Sequence, residues 1–231
     1  MRPKIFKSFQ NLILATSTKK EGNLKNDLEA RERFLAKFNL KPEKLIFLKQ
    51  VHSKRIIFVK KGKKFSRVGD GLITKEKGIA LGVFSADCLP IFIYDPKKEI
   101  IGILHAGWKG SLKRIAKEAI KIFKREGSNP KDILVYIGPS ISAKCYAISK
   151  EMAEIFSKKF PKFKSKIIKK RNKKYFLDLK KLNKLIFIEE GVLPKNIQIS
   201  KVCTFCNKNY FSFRRDKGNL EGEMLSIFCK I

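Results

Sequence analysis

Only two histidines occur in this chain of 231 residues, one in Gln50-Val51-His52 and the other in Leu104-His105-Ala106-Gly107-Trp108. Between them lies Ala86-Asp87-Cys88-Leu89-Pro90, so His52, Cys88 and His105 follow one another at intervals of 36 and 17 residues. Two imidazoles and a thiolate are donors that zinc prefers. Three protein ligands also leave a fourth position for water or substrate, as in catalytic rather than structural zinc sites. The intervals match no compact zinc-finger spacing, and a cysteine on an apolar run also reads as a small buried hydrophobe. Spacing alone leaves both readings open.

Other residues near these motifs carry chemistry of their own. Past His105, Gly107-Trp108-Lys109-Gly110 leads into a helix expected over about Ser111 to Glu126. Two glycines permit close backbone approach, and the unpaired N–H groups at the helix start, with Lys109, favour an anion such as phosphate. A tight turn with a packed tryptophan is the plainer alternative. Gly69-Asp70-Gly71 offers a carboxylate able to orient a ligand histidine, or an ordinary turn. Phe211-Ser212-Phe213-Arg214-Arg215-Asp216 alternates like a strand and ends in two cations that suit a substrate anion. Cys203-Thr204-Phe205-Cys206 has the gap of a zinc ribbon or redox pair. With no second pair to complete a ribbon, Cys203 and Cys206 read as buried structural thiols.

The elements that must position these residues are legible as apolar runs. Strands are expected at Leu45–Leu48, Ile56–Val59, Ile79–Phe84, Leu89–Tyr94, Ile100–Leu104 and Ile133–Ile137. Cys88 and His105 then fall at strand ends. The Ser111–Glu126 helix carries an apolar stripe of Leu112, Ile115, Ala116, Ala119, Ile120 and Phe123 and stops at Gly127. Further helices are expected at Leu28–Phe38, Lys150–Phe160 and Leu179–Glu190, the last capped by Asp178. The irregular mixture predicts an α+β protein with helices outside its sheets, organised as one domain over residues 1–231.

Composition sets the outer bounds. A hydrophobic content of 43% supports a packed core, no apolar run is long enough for a membrane span, and five cysteines without an export signal predict a cytoplasmic protein. The net charge of +32 invites a nucleic-acid reading. The cations, however, are 43 Lys against 10 Arg, and bidentate recognition of phosphates and bases favours arginine. The densest run, Lys158 to Lys174, has ten basic residues and no acid, with Phe160 and Phe163 interleaved. It reads as a solvated lysine-rich loop, with an anion-binding surface as the alternative.

Six motifs in order, Gln50-Val51-His52, Gly69 to Thr74, Ser85 to Pro90, His105 to Gly110, Gly138-Pro139-Ser140-Ile141 and Phe211 to Asp216, resemble the laccase-domain family. These are multicopper polyphenol oxidoreductase-like proteins, also described as zinc purine nucleoside phosphorylases and as the peptidoglycan editing factor. The resemblance implies a four-layer α/β/β/α sandwich with mixed sheets and a metal, zinc with copper as the alternative, at His52, Cys88 and His105. It also implies phosphorolysis of adenosine, inosine, guanosine and methylthioadenosine to base and pentose 1-phosphate, with adenosine deamination beside it. The chain departs from the family pattern at Thr18-Lys19-Lys20-Glu21-Gly22, at Trp108-Lys109-Gly110 where the family has Trp-Arg-Gly, and at Gly222-Glu223 where it has Gly-Arg.

On this view Lys109, Ser111, Arg214 and Arg215 are the phosphate candidates. Gln50 and Asp70 are further substrate contacts, and Asp87 or Asp70 serves as proton carrier or partner of a ligand. Cys88, His52, His105 and Asp87 form the catalytic set. The partners are a small nucleoside and phosphate, with no membrane, and the chain is a monomer or homodimer. Three rivals use the same residues differently. Cys88 could be the nucleophile of an amidase that edits peptidoglycan precursors. Copper-dependent phenol oxidation asks for centres richer in histidine. A basic nucleic-acid-binding module would make the motifs structural.

Overall fold

Unbroken runs of branched and aromatic residues fold as strands covered on both faces, and the way their side chains divide between two sides defines the layers. The computed structural model describes residues 3–219 and 221–231. In chain order the strands are β1 (Leu12–Thr16), β2 (Leu45–Ile46), β3 (Ile56–Val59), β4 (Gly71–Thr74), β5 (Ala80–Ser85), β6 (Leu89–Asp95), β7 (Ile100–Ala106), β8 (Leu134–Ile137), β9 (Ala147–Ile148), β10 (Ile168–Arg171), β11 (Lys174–Leu177), β12 (Ile197–Ile199) and β13 (Met224–Lys230). The helices are α1 (Leu28–Ala36), α2 (Trp108–Leu112), α3 (Ile115–Arg125), α4 (Lys150–Lys159), α5 (Lys164–Ile167) and α6 (Leu179–Glu189).

A four-stranded sheet runs β1-β13-β5-β2, a six-stranded sheet runs β12-β8-β6-β7-β4-β3, and a small sheet runs β10-β11-β9. Both large sheets are mixed: β2 lies parallel to β5, and β3–β4 and β12–β8 are parallel pairs in otherwise antiparallel surroundings. Alternation along each strand separates three cores. On β6, Phe92 and Tyr94 face the same core as Leu81 and Val83 of β5 and Phe228 of β13, so this core lies between the two large sheets. Leu89, Ile91 and Ile93 point the other way, into a core shared with Ile115, Ala119 and Phe123 of α3 and Leu182 and Ile186 of α6. Ala80 and Phe84 of β5 pack outward against Phe34 and Leu35 of α1. The order is helix, sheet, sheet, helices, which is the expected four-layer sandwich. No helix among the described residues is long and apolar enough to cross a membrane.

Three expectations are corrected. The segment from Phe211 to Asp216 is not a strand: it turns, with the Asp216 N–H donating to the Ser212 carbonyl at 3.0 Å. The helix expected over Ser111–Glu126 is two helices, α2 starting at Trp108 and α3 at Ile115, separated where Arg114 takes φ +62°. The guanidinium of Arg114 pairs with Glu189 on α6 and lies over the Phe160 ring, so partners remote in sequence hold the break. The lysine-rich run is not a loop. It forms α5 and the β10–β11 hairpin, whose turn residues Asn172 and Lys173 both have positive φ, as a type I′ turn requires. Phe160 and Phe163 stack in line with Phe156 on the core side rather than serving an anion.

Candidate metal centre and active site

Strand register assembles the site. β6 and β7 are antiparallel with Pro90 opposite His105 and Leu89 opposite Ala106, which carries Cys88, one residue before Leu89, beside Gly107. β4 pairs with β7 so that Gly71 faces Leu104, and continuing this register sets Asp70 against His105. The backbone seals that step, with His105 N–H donating to the Asp70 carbonyl at 2.7 Å. His52 arrives on the loop between β2 and β3.

The ligand atoms of His52, Cys88 and His105 lie within 4.8 Å of one another, with Cys88 Sγ 3.9 Å from His52 Nε2. The two imidazoles meet edge to face at a centroid distance of 4.8 Å. His105 is buried, Cys88 half-buried and His52 at the surface, so the cluster opens to solvent on one side.

Asp70 organises this half of the site. Its carboxylate accepts Nδ1–H of His105 and the His52 backbone N–H, each at 2.9 Å, and the Ser53 N–H and hydroxyl at 2.6 and 2.7 Å. The Val51 N–H reaches it at 3.3 Å. Ser53 was not legible as a site residue, because its part is a contact with a carboxylate 17 residues away. Burial works against the Asp70 charge, but the hydrogen bonds from His105 and Ser53 prevail and hold it at about 2. With Nδ1 occupied as donor, Nε2 is the ring nitrogen of His105 left for a ligand. Burial likewise opposes the charged forms of Cys88 and His105, yet each stabilises the other. The thiol is drawn down to about 7, helped by His52, and His105 is raised to about 9, helped by Asp70.

Asp87 organises the other half. It has φ +80°, and its buried carboxylate accepts Thr204 Oγ1 at 2.6 Å, Ser212 Oγ at 2.9 Å and the Arg214 N–H at 2.7 Å. Thr204 and Ser212 sit inside motifs that were visible in the sequence. Their partner is 117 and 125 residues away, and nothing local marks the pairing.

The remaining candidates fall in different places. Lys109 is exposed, with Nζ over the Trp108 ring. Arg214 donates Nη1 to the Ala147 carbonyl at 2.7 Å and lies 4.9 Å over the ring of Tyr146. The Tyr146 hydroxyl is raised to about 12 by burial and by the Cys88 charge nearby.

Three candidates are engaged by the protein itself. The guanidinium of Arg215 donates to the carbonyls of Thr204, Phe205 and Tyr210 and to Asp216, which fixes its own loop. The Gln50 amide exchanges two hydrogen bonds with the backbone of Phe84, at 2.7 and 2.8 Å, extending the edge of β5. Ser111 is fully buried, its hydroxyl accepting from Asn183 and its N–H donating to the Gly107 carbonyl, so the N–H is committed within the helix and burial keeps the hydroxyl from a solvent-borne anion.

Gly107 packs its backbone directly against the cluster, leaving no room for a side chain. A Cβ there would lie 2.7 Å from Cys88 Sγ and 3.0 Å from His52 Cδ2, although φ of −75° is open to any residue. Glu223, the acid at a family arginine position, pairs with Lys25, so the reversed charge has a local partner. Cys203 and Cys206 are not buried thiols: Cys203 is half-buried, Cys206 is exposed, and both lie beside Cys145.

Residues 8–230 match the family described as multi-copper polyphenol oxidoreductase laccase. The purine nucleoside phosphorylase YlmD of Bacillus subtilis is 36% identical over 209 residues, covering 85% of this chain and 74% of its own length. A purine nucleoside phosphorylase of Borreliella burgdorferi is 36% identical over 200 residues, covering 86% of this chain and 85% of its own. Among solved structures, a hypothetical protein of Bacillus licheniformis, YfiH, superposes with a TM-score of 0.90 at 27% identity, over 97% of this chain and 94% of its own. YlmD of Geobacillus stearothermophilus superposes with a TM-score of 0.85, also at 27% identity, over 96% and 93%. With its sandwich, its motif order and a match over nearly the whole length in agreement, the chain belongs to the multi-copper polyphenol oxidoreductase laccase family.

Proposed function

We propose that this chain is a zinc-dependent purine nucleoside phosphorylase, cleaving adenosine, inosine, guanosine and methylthioadenosine with phosphate to give the base and a pentose 1-phosphate, with adenosine deamination as a second activity. The observation that carries the reading is the convergence of the ligand atoms of His52, Cys88 and His105 within 4.8 Å of one another, with the Gly107 backbone packed closely against them. Two nitrogens and one sulfur suit zinc and leave a position open, whereas copper phenol oxidation asks for more histidine than the chain contains. Zinc held there supplies a Lewis acid beside the substrate.

The chain's own residues do the rest. Asp70 holds the proton on His105 Nδ1 and so presents Nε2 as the donor. Arg214, backed by Tyr146 and anchored on Ala147, and the exposed Lys109 supply positive charge for phosphate. Asp87 has both oxygens engaged by Thr204, Ser212 and Arg214, which suits it to positioning the loop that carries Cys88 rather than to carrying protons. An odd count of five cysteines fits a cytoplasmic protein.

Metal analysis of the purified protein, paired with an inosine cleavage assay with and without phosphate, tests the reading. The expected result is one ion at this site and cleavage that requires phosphate; cleavage indifferent to phosphate overturns the phosphorylase assignment. A second reading, with Cys88 as the nucleophile of an amidase that edits cell-wall precursors, is favoured by the thiol standing against two imidazoles. Cys88→Ala separates them, because loss of activity with undiminished metal at this site supports the nucleophile.

A further inference from the structure

The cysteines outside this centre form a cluster that the proposed reaction does not use. Cys203 and Cys206 lie on a turn closed by the Asn207 N–H donating to the Cys203 carbonyl at 2.9 Å. Cys145 lies on a facing turn, where its own N–H and that of Tyr146 donate to the Ser142 carbonyl at 3.0 Å. An isolated bridge between Ser140 and Cys203 brings the two turns together. The three sulfurs lie within 4.8 Å of one another, with Cys145 Sγ and Cys206 Sγ 3.2 Å apart. Zn–S bonds of about 2.3 Å place tetrahedral sulfurs roughly 3.8 Å apart, inside this spread.

Polar groups gather at the turn that carries Cys203. The Ser142 N–H points at Cys203 Sγ at 3.3 Å, and the Cys206 N–H points at the same sulfur. The buried ammonium of Lys180 is fixed beside the turn by the carbonyls of Ser200 and Val202, at 3.0 and 2.7 Å. A disulfide would engage two of the sulfurs and leave the third unexplained, whereas a thiophilic ion accounts for all three.

We propose that Cys145, Cys203 and Cys206 form a second zinc site, separate from His52, Cys88 and His105, that clamps the loop after β8 to the loop after β12. The clamp acts on residues that frame the first site. Thr204, between the two ligands of its turn, donates to Asp87 beside Cys88, and Tyr146, next to Cys145, supports Arg214.

The test uses the full chain with the first site removed by His52→Ala and Cys88→Ser, reconstituted with zinc under anaerobic reducing conditions and desalted. One zinc per chain is expected, with Cys145, Cys203 and Cys206 resisting alkylation together until a chelator is added. Adding Cys206→Ser should remove that ion and leave far-ultraviolet circular dichroism unchanged. If the first-site variant fails to fold, Cys206→Ser alone should lower the wild-type stoichiometry by one ion per chain. Zinc retained equally with and without Cys206 overturns the proposal, as does a Cys145–Cys206 disulfide that forms under these conditions and leaves no zinc bound. Failure of the first site would show instead as stoichiometry unaltered by His52→Ala and Cys88→Ser.

Discussion

Replacing Asp70 with Asn removes one charge and almost no volume, so its effect measures the carboxylate itself. The native oxygens divide their work: Oδ1 accepts from His52 N and His105 Nδ1, and Oδ2 from Val51 N, Ser53 N and Ser53 Oγ. An amide can serve only one side. The less damaging orientation keeps its oxygen towards Ser53 and turns its NH₂ towards His52 N–H and His105. His105 then lowers its energy by accepting at Nδ1, which moves its proton to Nε2, the atom needed for metal.

Two routes bound the cost. Linkage from a carboxylate held at about 2 instead of 3.8 gives about 2 kcal/mol. An orphaned backbone N–H together with lost charge-assisted hydrogen bonds gives about 3 to 5 kcal/mol. Metal-free Asp70→Asn should therefore lose about 2 to 5 kcal/mol in urea unfolding. Because the folded pKa is depressed, the wild-type advantage is present above about pH 4 and fades as pH falls through about 2. Zinc affinity, read by competition with a chromophoric chelator, should fall about 10- to 100-fold. A variant that loses under about 1 kcal/mol and binds zinc like the wild type would refute the assignment of Asp70 as organiser of the site.

Other substitutions separate roles that the sequence grouped together. Gly107→Ala drives a methyl group to 2.7 Å from Cys88 Sγ at a backbone conformation that alanine accepts; overpacking of about 1 to 3 kcal/mol should appear as weaker metal binding by about 5- to 150-fold, with circular dichroism unchanged. Gln50→Met leaves two backbone groups of Phe84 without the amide; it should cost about 1 to 3 kcal/mol in denaturant melts and leave substrate KM unmoved if the residue only supports β5. Arg214→Ala should raise the KM for phosphate with little loss of stability, whereas Arg215→Ala, which frees the carbonyls of Thr204, Phe205 and Tyr210, should lower Tm first.

The candidate ligand trio was legible because histidine is so scarce in this chain that both imidazoles drew attention, and because Cys88 and His105 lie beside apolar runs read as strands. The glycine-flanked Asp70 was legible for a similar reason, as a carboxylate set where backbone crowds. The layer order came from the family resemblance, and the alternation along β6 and β7 explains it physically. What stayed hidden depends on distant partners. Ser111 looked like a helix start until Asn183, 72 residues on, claimed its hydroxyl. Gln50 looked like a substrate contact until Phe84 took both ends of its amide. Asn172 is a turn residue by type, yet the lysines around it masked a hairpin. Cys203 and Cys206 lacked a partner pair in sequence and found Cys145 across the fold.

The left-handed residues show how the two halves of the site depend on one another. His52 and Asp87 have φ of +55° and +80°, conformations that cost a non-glycine residue about 1 to 3 kcal/mol and persist only when the surroundings over-determine them. At His52 the determinant is the Asp70 carboxylate, which accepts the N–H groups of three consecutive residues, 51 to 53. At Asp87 it is the side chain of the strained residue itself, held by Thr204, Ser212 and the Arg214 N–H. Each loop that carries a candidate ligand is thus bent by a carboxylate gathering donors, and each carboxylate reaches into a segment remote in sequence. The acids nearest the centre of a chain with net charge +32 therefore serve to gather donors rather than to balance surface cations. The donors of both loops thus converge on a few buried oxygens, while the lysines of the described residues, Lys180 and Lys230 excepted, are not buried.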